Sequence, residues 1–171
     1  MPRPGATAGR DAAVVIGVLL VLGLLCGLLW SQVVTSAEFT KVADGGAMEG
    51  DQLGNKFDAD GWYVVIAVPA GLLAGLVLTA RRSRDALVTS GLLVVGSVLA
   101  AAAMALTGYL MGPGDPRAAL AVAKVGATVP ERLDVDAFAV YLGWPVGVLA
   151  GALFVLLGRV PQADAARRHA D

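Results

Sequence analysis

Groups that do chemistry are scarce in this chain. Its 171 residues include one cysteine, Cys26, and one histidine, His169. A single thiol excludes an internal disulfide and any paired-thiol redox or zinc site. With one histidine near the carboxyl end, no His-carboxylate metal signature can form, and neither a G-x-S-x-G nucleophile turn nor a phosphate-binding loop is present. No metal, cofactor or catalytic residue is therefore expected. Charged residues make up only 16% of the chain. The basic ones form small groups beside apolar runs, which argues against nucleic-acid binding.

What the chain has instead is apolar sequence, segregated into four stretches. Hydrophobic residues reach 57%, and the mean hydropathy is +0.71, values of the membrane class. No Asp, Glu, Lys, Arg or His occurs in 12–37, 61–80, 86–114 or 137–158. Each stretch holds roughly 20 or more residues, enough to cross about 30 Å of hydrocarbon as helix. Lipid offers backbone groups no water, so the stretches are expected to be helical, with spans near 13–33, 61–80, 87–109 and 137–158. Residues 1–171 then form one membrane domain, with 159–171 a flexible cytoplasmic tail. The start of the chain also has the outline of a cleaved signal, with basic residues, an apolar run and Val34-Thr35-Ser36 before Ala37. The length of the run favours an uncleaved anchor.

Charge sets the expected orientation. The two ends and the 81–84 loop carry eight bases against four acids, whereas the other side carries five bases against ten acids. The positive-inside rule places both termini in the cytoplasm and the loops near 34–60 and 110–136 outside. Arg82 and Arg84 are expected at lipid phosphates. No ionisable group falls inside a span. Coupled carriers usually keep one at mid-membrane, so a coupled transporter is not expected.

The chain also repeats itself at an offset of 76. Lys56-Phe57-Asp58-Ala59-Asp60 is followed by Pro69, Gly71 and Leu73-Ala74-Gly75; Arg132-Leu133-Asp134-Val135-Asp136 is followed by Pro145, Gly147 and Leu149-Ala150-Gly151. The expected fold is all-α, a four-helix transmembrane bundle of two tandem, same-orientation helical hairpins about a pseudo-twofold axis along the membrane normal. Gly71, Gly75, Gly143, Gly147 and Gly151 lie four apart on one face of spans two and four, a pattern for close helix packing in lipid. Pro69 and Pro145, about nine residues into their helices, are expected to bend them. Trp30, Trp62, Tyr63, Tyr109, Phe138 and Tyr141 cluster near the outer ends, with Trp144 a turn deeper, as an interfacial belt would.

Among polar positions the two Asp-x-Asp pairs stand out. Asp60 and Asp136 directly precede their spans, where an acid caps the helix and matches its dipole. The other reading is an outer cation or ligand site in which Asp58, Asp60, Asp134 and Asp136 converge near the axis. Asp115-Pro116 reads as the cap and first turn of a short helix over 117–125. The first outer loop, richer in glycine and acid, is expected to be the looser one.

The Asp60-Gly61-Trp62-Tyr63 start of span two, the arginines of the 81–84 loop and Gly143-Trp144-Pro145 together resemble small four-span envelope proteins of actinobacteria, of families without assigned function. The resemblance implies a multi-pass bacterial plasma-membrane protein and no activity. Two functional expectations remain. One is a non-enzymatic accessory subunit that binds lipid and a membrane-protein partner, or a second copy. The other is a small uncoupled channel or carrier with an outer acidic ring.

Overall fold

The computed structural model describes residues 4–48, 50–82 and 86–168. Arg84, Asp85 and His169 lie outside them, as do the side chains of Lys56 and Arg82. The chain is mostly helical, at 76%, and four of its helices are long and apolar enough to span a membrane. In order, the elements are α1 (Pro4–Val33), β1 (Glu38–Val42), β2 (Gly45–Ala47), α2 (Gly50–Arg82), α3 (Ala86–Met111), α4 (Pro116–Val122), β3 (Thr128–Pro130), a 3₁₀ turn (Phe138–Leu142) and α5 (Gly143–Arg168).

The four long helices pack chiefly as two pairs, α1 on α3 and α2 on α5, with α1 and α2 meeting less extensively. Each span therefore lies mainly against the span two along in sequence, and the sequential hairpins expected from the repeat are the weaker contact. Small residues explain the pairing. A Cβ added to Gly71 would lie 3.0 Å from the Trp144 carbonyl oxygen, and one on Gly147 would lie 2.5 Å from that of Val68. On Gly75 it would meet the Val148 oxygen at 2.1 Å, and on Gly151 the Leu72 oxygen at 2.2 Å. Val68 and Trp144, and Leu72 and Val148, are themselves 76 apart. Gly23 and Gly27 do the same for α1, whose backbone there runs against Ala100 and Met104 of α3. Such approach lets dispersion contacts and weak backbone contacts replace the hydrophobic drive that lipid lacks. At the end of the bundle away from the long loops, Arg159 Nη2 donates to the Ala80 carbonyl oxygen at 3.0 Å, tying α5 to the last turn of α2.

Three features depart from the all-α expectation. First, the two long loops make a three-stranded antiparallel sheet in the order β2-β1-β3. Thr40 pairs with Ala47 on one side of β1, and Phe39 pairs with Val129 on the other. The glycine-rich first loop is thus a hairpin. It joins the second loop across the top of the bundle, and Leu120 of α4 covers it at Gly46. Second, α2 starts at Gly50 and has 33 residues. At 1.5 Å per residue it is about 50 Å long, so its first turns rise beyond the hydrocarbon. Third, Pro145 is not deep in a helix. It stands in the first turn of α5, where its missing N–H has no intrahelical partner to lose. Pro69, by contrast, lies well inside α2. The backbone of α5 also continues helically through Arg168, into the segment expected to be a mobile tail.

The aromatic belt is divided by burial. Trp30, Tyr63 and Trp144 are fully buried, and with Leu19, Leu93, Met104 and Val148 they fill the centre of the bundle. Trp62, Tyr109 and Phe138 remain exposed near the loop-bearing ends of their helices, as interfacial residues would. Leucines and valines cover the outside of α1, α2, α3 and α5. An apolar exterior on a packed core is the arrangement that lipid favours.

Candidate functional site

The sheet and its connecting loops cap one end of the bundle, and the polar crevice lies there. Ala59 of α2 is buried, and its carbonyl oxygen accepts from Trp30 Nε1 at 2.9 Å. The Trp30 ring meets Tyr63 edge-on, with centroids 5.4 Å apart, and the Tyr63 hydroxyl donates to the Ala101 carbonyl oxygen at 2.8 Å. Trp144 Nε1 lies 3.3 Å from Met104 Sδ. These bonds satisfy the polar atoms of three large side chains that would otherwise be costly to bury. They also lock α1, α2, α3 and α5 together directly below the cap.

Asp60 does not cap α2, because the helix begins ten residues earlier, at Gly50. Its carboxylate reaches across to the other half of the chain. Oδ1 accepts from the backbone N–H of Asp136 at 3.2 Å, and Oδ2 accepts from that of Ala137 at 3.1 Å. Ala137 immediately precedes the 3₁₀ turn that leads into α5. Asp60 thus satisfies free amide groups at the start of the fourth span, the work expected of Asp136.

The four aspartates do not meet. Asp58 and Asp60 are two apart on a helix, which turns about 100° per residue and sends them to opposite sides. Asp58 is exposed beside a shallow groove of about 370 Å³ lined by Gly61, Trp62 and Val65. Asp134 and Asp136 sit instead in irregular chain between β3 and the 3₁₀ turn. They line a crevice of about 320 Å³ with Ser36, Asn55, Glu131 and Arg132. Asp134 also accepts from the Val135 N–H at 2.8 Å. Among the described residues no group of three or more His, Cys, Asp or Glu side chains is placed to hold a metal ion.

Arg132 is the residue that the sequence reading undervalued. Its guanidinium lies 4.3 Å from the centroid of the Tyr109 ring, and Nη1 donates to the Tyr109 hydroxyl. Its Nε is buried without a partner. Stacking on an aromatic face fixes an arginine that would otherwise sweep a large volume. The residues that line the crevice thus include this arginine and three carboxylates, with a serine and an amide. That mixture suits hydrogen bonding to a polar surface better than capture of a bare cation. Arg132 sits at the repeat position of Lys56, but the pairing of its base with an aromatic 23 residues earlier leaves no local sequence pattern.

No protein family, curated protein sequence or solved structure matches the chain.

Proposed function

We propose that the protein is a non-enzymatic accessory subunit of the bacterial plasma membrane, with both termini cytoplasmic and the sheet-bearing cap outside. Its partner is a second membrane protein, engaged through the polar crevice of the cap and the apolar faces of the spans. The packed axis is the observation that carries this reading. Trp30, Tyr63, Trp144 and Met104 are fully buried at the centre of the bundle, so a pore along the axis of one copy would have to displace them. This favours the accessory role over the channel. The small-residue faces of α2 and α5 are used against each other within one chain, so a partner must meet a different face. The same reciprocity supports a tandem duplication as the origin of the four spans. The resemblance to actinobacterial four-span proteins belongs to this reading.

Purification from native membranes in mild detergent, with native mass read by mass spectrometry, tests the proposal. A foreign membrane protein is expected to co-purify, and its recovery is expected to fall in the Asp134→Asn/Asp136→Asn variant. A chain that runs alone and monomeric would contradict it.

A further inference from the structure

We infer that α4 and the turn after it form an anchor in the outer leaflet, in which Val122 and Val125 enter the membrane interface and Arg117 and Lys124 meet anionic phosphate headgroups. The inference rests on the reading of the chain as a membrane protein.

Packing is the first support. α4 has no buried residue. Leu120 reaches the sheet at Gly46, and α4 also lies beside β3. Val122 is 86% exposed and Val125 is 72% exposed, although both lie outside the four long helices. Valines this open are unfavourable in water and favourable at the acyl boundary.

Position is the second support. α3 ends at Met111 and α4 starts at Pro116. The residues between them extend at most about 3.5 Å each, which keeps the start of α4 within roughly 18 Å of the end of the span. Leu110 and Met111 are themselves exposed and apolar, which sets the hydrocarbon boundary near the end of α3. A headgroup layer some 5–8 Å deep lies beyond that boundary, well within the reach of the linker.

Charge is the third. The outer side has twice as many acids as bases, yet its bases gather here. Lys41 is bound to the turn after α4 by two backbone bonds, Lys41 N–H to the Ala127 oxygen at 2.9 Å and Gly126 N–H to the Lys41 oxygen at 2.8 Å. Lys41 is thus held beside the turn that carries Lys124 and Val125, and Arg117 and Val122 lie on the short helix just before it. Asp115 is occupied in capping α4, accepting from the Arg117 N–H at 2.9 Å, and Asp44 sits in the β1–β2 turn. Glu38 and Glu131 lie at the other end of the sheet. Bases flanking apolar side chains are what an anionic lipid surface attracts.

Depth measurement in defined lipid tests this. The full chain carries Cys26→Ala and one spin-labelled cysteine at a time: Val122→Cys, Val125→Cys, Val98→Cys on the exposed face of α3, or Gly54→Cys in the open first turns of α2. Each is placed in nanodiscs of phosphatidylcholine, with or without phosphatidylglycerol. Collisions with oxygen and with a water-soluble nickel chelate are then read. Labels at 122 and 125 are expected to lose nickel collisions and gain oxygen collisions relative to 54. The shift should grow with phosphatidylglycerol, and Arg117→Gln/Lys124→Gln should abolish that growth. Labels at 122 and 125 as open to nickel as 54, with 98 still shielded, would overturn the anchor alone. Nickel access at 98 as well would overturn the membrane reading itself. Growth that survives in the double variant would overturn the headgroup contact.

Discussion

Adding one methyl group at Gly75 or Gly151 is expected to lower the thermal midpoint in detergent by more than any surface change of similar size. The new Cβ would lie 2.1 Å from the Val148 oxygen or 2.2 Å from the Leu72 oxygen. Both are backbone atoms of the facing helix, so no side-chain rotation relieves the clash and the helices must separate. Overpacking of this kind costs about 1–3 kcal/mol, occasionally more. The double variant removes both ends of a reciprocal contact and should lose the most. Gly61→Ala supplies the comparison, since nothing lies within 4 Å of a Cβ there. In a helix interior that change is worth up to about 1 kcal/mol in favour of alanine. If Gly151→Ala melted together with Gly61→Ala, the close approach of α2 and α5 would be refuted.

Trp30→Ala is the second large effect. Trp30 is fully buried, it donates to Ala59, and its ring lies in a seat left by Gly108, where a Cβ would come within 2.2 Å of the ring. Truncation removes that packing and the bond to the Ala59 oxygen, which keeps its helical partner within α2. The expected loss is on the order of 3 kcal/mol. Tyr63→Phe keeps the ring and loses only the bond to Ala101, so a smaller loss of about 1 kcal/mol is expected. Trp62, one position away and 44% exposed, should tolerate alanine with little change. Detergent unfolding curves of the three variants rank them directly. Equal midpoints for Trp30→Ala and Trp62→Ala would contradict the placement of Trp30 at the centre.

The spans were legible because lipid imposes a strong rule. Four charge-free stretches had to become helices, and α1 ends at Val33 and α3 runs Ala86–Met111, close to the limits drawn from charge alone. What lies outside the hydrocarbon was harder to read. Residues 50–60 include Gly50, Gly54 and Asn55, poor helix formers that look like a loop. Packing of Ala59 and Tyr63 against the bundle overrides that local preference. The sheet was invisible because its decisive pairs are remote: Glu38 faces Pro130, and neither segment is long enough to announce a strand.

The polar site shows the same division. The repeat singled out the Asp-x-Asp pairs, and Asp60 does meet the other copy of its own motif, at Asp136. Whether all four carboxylates gather depended on local conformation, which the repeat does not carry. One pair is helical and splays apart, while the other lies in irregular chain and lines one crevice. A matching sequence thus adopts two backbone forms, because the first copy extends a helix and the second follows a strand.

The most direct test of this account is which residues face which side of the membrane. Single cysteines at Gly54 and Gly158, both with open space around them, are introduced into the Cys26→Ala chain and exposed to a membrane-impermeant maleimide in intact cells. The account predicts labelling at 54 in intact cells and at 158 only after the membrane is opened. Labelling at 158 in intact cells, alone or together with 54, would contradict it.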